Sequence, residues 1–397
     1  MTQLSRTIAI KGGYGYGNFG DDALMAAVHE VATKLCRPDE AGYLCQDSAY
    51  TRKLTPNASI LKVRDADRLS VRMLLFGGGT QFYSFARENA AERGFTDRAI
   101  RLLRQPGALP LKIARRFVRT HPKELPDEAD SIAALGVGVG PFVPGSAAET
   151  RAKDLFSHMT FISVRDARSY EMCRQWGATN LHHHTDLCFW PGFHAAHVPQ
   201  VEPAAAASIK RVGLVVRDWS HDAKGDSYGH SLLEVADELT KAGRTVDFVL
   251  FAGRHDRVWL QRLKATRFKA VLWTPENDTI RDFAARLNSY DLFITARYHG
   301  AAFATLLGKP SICIEVEPKL ALFAKVLGPA GRCWKHPFDA LQCLRLVQEI
   351  EADMPRVIAL LWTLRQMHSD IATRMVDEFL AFARPRLTTQ HASGAKR

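Results

Sequence analysis

The sequence predicts an α/β protein of two Rossmann-like domains, each a parallel sheet wrapped by helices, facing one another across a cleft. Three observations carry that expectation. Short β-branched runs alternate with helical stretches, the pattern of the strand–helix–strand units that build parallel sheets. A Pro/Ala-rich stretch at 191–208, PGFHAAHVPQVEPAAAAS, interrupts the alternation and reads as a linker, after which the pattern restarts. The length, 397 residues, suits two or three domains at roughly 150 residues each. The expected division is 1–195 and 196–397.

In the first half, strands are expected at 7–11, 58–63, 71–76, 131–137 and 160–164, with helices near 21–35, 147–157 and 167–176. In the second half, strands are expected at 211–216, 245–251, 270–273, 291–295 and 311–316. Helices there fall at 231–241, 256–263, 279–287, 301–307 and 319–326. The remainder, to about residue 382, reads as helices that pack back on the first domain. With 46% hydrophobic and 24% charged residues, each half can bury a core. No apolar run approaches the roughly 18 residues of a membrane span. The opening MTQLSRTIAIKGGYG turns glycine-rich before any signal-peptide core develops. Secreted, fibrous, disordered and integral-membrane classes are therefore not expected. The seven cysteines are odd in number and scattered, with no C-x-x-C pair, so neither a zinc knuckle nor a disulfide framework is indicated. They read as buried thiols of a reducing cytoplasm.

The net charge of +11 is concentrated. Residues 98–123 hold eight Arg and Lys and no acidic residue, and 381–397 add four more, unopposed. Interleaved with Ile100, Leu102, Leu103, Phe117 and Val118, the first stretch is either an interfacial segment for anionic lipid or a solvated helix face. Nucleic acid is not an expected partner, because no module for it occurs elsewhere.

Parallel sheets bind ligands beyond the carboxyl ends of their strands, so the residues just after each strand are informative. In the first half they are mostly glycine: GGYGYGNFGDD at 12–22, GGGTQF at 77–82 and GVGVGP at 136–141, then Arg165 and Asp166. In the second half they are Arg217–Asp218, Gly253–Arg254–His255, Pro275–Glu276–Asn277–Asp278, Arg297–Tyr298–His299–Gly300 and the stretch 315–319. A small glycine-rich rim against a cationic one suits a polyhydroxylated acceptor and an anionic donor. Gly15, Gly17 and Gly20 complete a G-x-G-x-x-G pattern. Asp21 and Asp22 open the following helix, however, and would repel a pyrophosphate, so no nicotinamide or flavin cofactor is expected. Asp21 either caps the helix or bonds and deprotonates substrate hydroxyls. The Arg297–Gly300 turn precedes a helix, so backbone N–H groups and side chains converge there on an anion site; alternatively His299 only caps the helix. Arg165 either meets ligand or forms a salt bridge to Asp166 or a helix end. The run His182–His183–His184 with Asp186 invites a metal. Adjacent residues in a strand alternate faces, so at most two of these histidines point to one side. No second ligand pair shows at helical spacing, and no metal is assigned; Asp186 reads as facing the cleft.

Taken together, GYGNFGDDALMAAV (15–28), GGGTQF, GVGVGPF, ISVRDARSYEMCRQWG (162–177) with Asp186, TARYHGAAFATLLGKPSI (295–312) and Lys319 resemble the bacterial polysaccharide pyruvyltransferase family, in order, over roughly 7–328. The resemblance implies a fold like the GT-B glycosyltransferases. It implies transfer of the enolpyruvyl unit of phosphoenolpyruvate onto two hydroxyls of a sugar, giving a pyruvate ketal. Relatives act in the cytoplasm on capsule, exopolysaccharide or cell-wall saccharides, often lipid-linked, which fits a peripheral place on the inner membrane face. The implied donor-binding and catalytic residues are Arg297, His299 and Arg165, aided by Arg217 or Lys319. His299 is the expected general acid. Asp21 or Asp186 would orient hydroxyls, while Asn18, Gly17, Gly20, Gly78 and Gly79 hold the ring. No metal or organic cofactor is needed. Two departures stand out: Val316 occupies a position where many relatives carry tyrosine, and Asp22 replaces the more usual glutamate. The rival enzyme is a nucleotide-sugar glycosyltransferase with Glu315 or Glu317 on the ribose, though the usual glycine-rich phosphate loop is missing. The rival of another class is a non-catalytic glycan-binding or scaffold protein, which would be free to lose Arg297 and His299.

Overall fold

Two sheets, each entirely parallel, organise the chain. The computed structural model describes residues 3–45, 49–61, 68–85, 125–202 and 208–388. The basic stretch 98–123 and the tail beyond residue 388 lie outside the described residues.

The first sheet holds β1 (Gln3–Lys11), β2 (Ala41–Leu44), β3 (Ser59–Ile60), β4 (Arg68–Phe82), β5 (Glu128–Val139), β6 (Phe161–Val164) and β7 (Leu181–His183). Their spatial order is β3-β2-β1-β4-β5-β6-β7. That is the doubly wound Rossmann order, whose topological switch point lies between β1 and β4. Ile8, Ala9 and Ile10 of β1 are fully buried, as expected of a strand covered on both faces. Between its strands the chain runs through α1 (Phe19–Ala32), α2 (Thr51–Leu54), α3 (Ala147–Ser157) and α4 (Ala167–Gln175). Ser146 caps α3 by accepting from the Glu149 N–H, and Asp166 caps α4 by accepting from the Ser169 N–H at 2.8 Å.

The second sheet repeats the order. β8 (Arg211–Val216), β9 (Thr245–Leu250), β10 (Lys269–Leu272), β11 (Leu292–Thr295), β12 (Ser311–Ile314) and β13 (Arg332–Trp334) lie as β10-β9-β8-β11-β12-β13, with the switch point between β8 and β11. Around it run α5 (Pro191–His197), α6 (Lys224–Lys241), α7 (Arg257–Lys264), α8 (Ile280–Asn288), α9 (Tyr298–Leu306), α10 (Pro318–Val326), α11 (Ala340–Ala352) and α12 (Met354–Thr388).

Two compact units result, divided differently from a single boundary at 195/196: residues 1–13, 31–186 and 375–397 form one, and 14–30 with 187–374 the other. Phe19 explains the first exchange. It is fully buried among Phe251, Trp273, Phe283 and Phe303, at ring-centroid distances of 4.6–5.3 Å. Its N–H also donates to the Phe251 carbonyl. The loop after β1 thus completes the core around the second sheet. The expected linker is a second difference, since Pro191–His197 is helical. Pro191 occupies the first turn, where a missing N–H costs nothing, and Arg281 Nη2 donates to the Ala195 carbonyl at 2.7 Å. Strands β2 and β13, of 4 and 3 residues, carry no alternation to reveal them. The last residues of α12 group with the first unit, as the expected back-packing requires. All seven cysteines are free thiols; burial pushes that of Cys173 up to about 12.

Candidate active site

In the second unit the switch point collects the cationic residues. β11 ends at Thr295, whose Oγ1 accepts from the Arg297 N–H (3.1 Å) and donates to the Arg297 carbonyl (2.9 Å), folding a tight turn into α9. Gly300 is required there, because a Cβ would overlap Thr295 Oγ1 and come 3.1 Å from Thr295 Cβ. Arg297 is fixed at every step. Its Nε donates to the Val216 carbonyl at the end of β8 (2.9 Å), and Nη2 donates to both oxygens of Asp256 (2.5 and 2.6 Å). Asp256 is fully buried and also accepts from the Asp218 N–H. Asp218 in turn accepts from the Val258 and Trp259 N–H groups opening α7. Burial raises the Asp218 carboxyl above the usual range.

Beside this turn, a second carboxylate gathers two cations. Glu317, 2% exposed, sits just before α10. Its Oε1 accepts from Arg217 Nη1 at 2.5 Å and from Lys319 Nζ at 3.0 Å. The Arg217 guanidinium lies 5.0 Å from the Trp219 ring. Tyr228 Oη donates to the Arg217 carbonyl and accepts from Trp259 Nε1 at 2.7 Å. Two cations, Arg217 and Lys319, thus share one buried carboxylate beyond the carboxyl end of β8.

The glycine loop after β1 meets this unit directly. Gly17 has φ of 70°, the left-handed region that favours glycine. Gly20 serves close approach: a Cβ there would overlap the His299 ring, 2.6 Å from its Cγ. His299 is therefore seated on the first turn of α1. Asn18 Nδ2 donates to Asp21 Oδ2 at 2.6 Å. Asp22, fully buried, accepts from Trp273 Nε1 at 2.8 Å. Of the two acids, Asp22 serves the core and Asp21 lies at the partly exposed face.

In the first unit, Arg165 and Asp186 meet each other. Arg165 Nη1 donates to Asp186 Oδ2 at 2.6 Å, with both side chains at 2% exposure or less. Its Nη2 donates to Thr80 Oγ1 at 2.8 Å. The salt-bridge partner of Arg165 is thus Asp186, not Asp166, which caps α4. Gly78 and Gly79 have φ of 65° and 72°, and a Cβ on Gly138 would stand 2.9 Å from Thr80 Oγ1. Glycine here lets three strand ends close around one arginine.

The expected site residues therefore fall into two groups. Gly17, Asn18, Gly20, Asp21, Arg217, Arg297, His299 and Lys319 belong to the second unit, and Gly78, Gly79, Arg165 and Asp186 to the first. Sequence reasoning missed Asp256, Thr80 and the anchoring use of Glu317. Asp256 carried one signal, its place beside Arg254–His255 at a strand end; Thr80 carried none apart from its glycine neighbours.

Solved structures share this fold. The S. aureus MnaA–UDP co-structure matches with a TM-score of 0.55 at 9% identity, over 100% of both chains. The UDP-GlcNAc 2-epimerase from Neisseria meningitidis bound to UDP-GlcNAc gives 0.54 at 9% identity, over 95% of this chain and 100% of that one. Sucrose-phosphate synthase from Thermosynechococcus elongatus gives 0.52 at 12% identity, over 96% and 98%. A comparison with curated proteins finds no match. Two parallel sheets of Rossmann order define an α/β protein of the class with two Rossmann-like units. Within that class a family model, polysaccharide pyruvyl transferase, matches residues 18–318, more than half the chain. The chain belongs to the polysaccharide pyruvyl transferase family and is a transferase of polysaccharide biosynthesis.

Proposed function

We propose that the donor is phosphoenolpyruvate and that the product is a cyclic pyruvate ketal on two hydroxyls of one sugar. The observation that carries this reading is the pair of cations, Arg217 and Lys319, gathered on Glu317 beside the His299 turn. A small trianion needs such a cradle, and the first turn of α9 adds backbone N–H groups. His299 protonates the methylene carbon, which makes the adjacent carbon an oxocarbenium-like electrophile; general-acid catalysis of this kind contributes about 10²- to 10⁴-fold. One sugar hydroxyl adds and loses its proton. The second displaces inorganic phosphate, which takes up the remaining proton, so no oxidant, metal or organic cofactor enters the balance. Asp21, oriented by Asn18, is the residue best placed in this unit to receive a hydroxyl proton. The nucleotide-sugar reading keeps Glu315 as its ribose partner and loses Glu317, whose carboxylate is buried and engaged by Arg217 and Lys319.

The test is calorimetric titration of phosphoenolpyruvate and, separately, of UDP- and GDP-sugars. Phosphoenolpyruvate is expected to bind the wild-type chain, to bind Lys319→Ala at least about tenfold more weakly, and to bind His299→Gln with unchanged affinity but no phosphate release on a panel of sugar diols. Nucleotide-sugar binding with no response to phosphoenolpyruvate overturns the reading. The basic stretches lead us to propose further that the acceptor is met at an anionic membrane surface; salt-independent failure to sediment with anionic vesicles removes that part alone.

A further inference from the structure

At the edge of the first sheet, the histidine run after Leu181 divides between two faces. The His183 ring lies 5.7 Å from that of Tyr170. His182 and His184 share the opposite face, their rings 5.6 Å apart and only 8° from parallel. The His184 N–H donates to the Val164 carbonyl, so it continues the ladder one residue beyond β7. Facing them is Glu378 of α12, whose Oε2 lies 3.2 Å from His182 Nδ1 and 3.3 Å from His184 Nε2. The three donor atoms lie within 4.8 Å of one another.

The two carboxylate-to-imidazole spacings match what a metal imposes. With Zn–N and Zn–O bonds of about 2.0–2.2 Å, donors at the corners of a tetrahedron stand roughly 3.3–3.5 Å apart. The donor set of two imidazoles and one carboxylate suits a borderline divalent ion. The ring of His184 also has the outer contact that metal-binding histidines use: its Nδ1 is 3.1 Å from Ser163 Oγ. The helix is seated independently of any ion. Phe161 stacks on His182 at 4.9 Å and packs against Phe379 and Phe382, and Arg72 donates to the carbonyls of Arg386 and Leu387.

We propose that His182, His184 and Glu378 form a zinc-class cation site that fastens the end of α12 to the edge strand, with a fourth, solvent-facing position for water. The His184 side chain is 8% exposed, while His182 and Glu378 reach the surface, which gives an ion an entry path. No residue of the candidate active site takes part.

The test uses the untagged full chain, stripped with chelator and titrated with Zn²⁺ by calorimetry and with Co²⁺ by visible absorption. Wild type and His183→Ala are expected to bind one equivalent with the intense d–d bands of tetrahedral Co²⁺. His182→Ala and Glu378→Gln are expected to lose those bands and at least about tenfold in affinity, with far-UV circular dichroism unchanged. If the double variant His182→Ala/Glu378→Gln binds both ions as wild type does, or wild type gives no tetrahedral spectrum, the triad is an ion-pair cluster and the proposal falls.

Discussion

At the scale of single residues, two cations of the second unit play opposite parts. Arg297 is anchored on a fully buried carboxylate, and removing one partner of such a pair strands the other's charge. Arg297→Ala is expected to destabilise the fold by about 3–5 kcal/mol in urea melts, so loss of activity in that variant reports structure as well as chemistry. Lys319→Ala, whose amine is partly exposed, is expected to cost under about 1 kcal/mol and to report donor binding cleanly. Gly20→Ala makes a third case. Its new Cβ must displace the His299 ring, and a displacement near 1 Å is worth roughly 10²-fold in turnover. Wild-type phosphate release by that variant would show that His299 need not sit on α1. The charged residues were legible in the sequence because strand ends are where ligands bind. Their partners were not, since Asp256, Glu317 and Asp186 pair across 41, 100 and 21 positions, and no local pattern encodes such a distance.

At the scale of elements, α5 shows where composition misleads. Pro and Ala clusters read as a linker, yet Pro at the first helical position and Phe193 in the core make a short packed helix. Its histidines are expected to make it acid-sensitive. Burial pushes the His194 ring down to about 4 from an ordinary 6.5, as its Nε2–H donates to the Cys188 carbonyl at 2.8 Å. Burial lowers His197 as well. Between pH about 6.5 and 4 the unfolded chain takes up a proton that folded His194 refuses, so stability is full above that window and lost as pH falls through it. Thermal midpoints from pH 7 to 4.5 are expected to fall less steeply for His194→Gln, which keeps a donor without the titration. An equal slope in both proteins would assign the acid sensitivity elsewhere. The long, buried strands and the capped helices were legible from hydrophobic runs; β2 and β13 were too short to show a period.

At the scale of the whole molecule, the doubly wound order of both sheets followed from simple alternation, but the ownership of segments did not. Residues 14–30 lie beside β1 in sequence and complete the second unit in space, because four aromatic rings there leave room for Phe19. A fragment of residues 187–374 lacks that plug and is expected to show a broad, non-cooperative thermal transition. Adding a peptide of residues 14–30 should sharpen the melt and alter the fluorescence of Trp273, whose indole it bonds through Asp22. A fragment that melts as cooperatively without the peptide would show that Phe19 is dispensable to that core.

The same plug sets a timetable for synthesis. Phe19 is made 232 positions before the first of its aromatic partners, Phe251, and 284 before the last, Phe303. At about 5–20 residues per second on the ribosome, the helix start waits roughly 10–60 s for the surface it fills. Phe19 is therefore synthesised well ahead of the surface it fills, and the second unit closes only when that earlier segment returns to it.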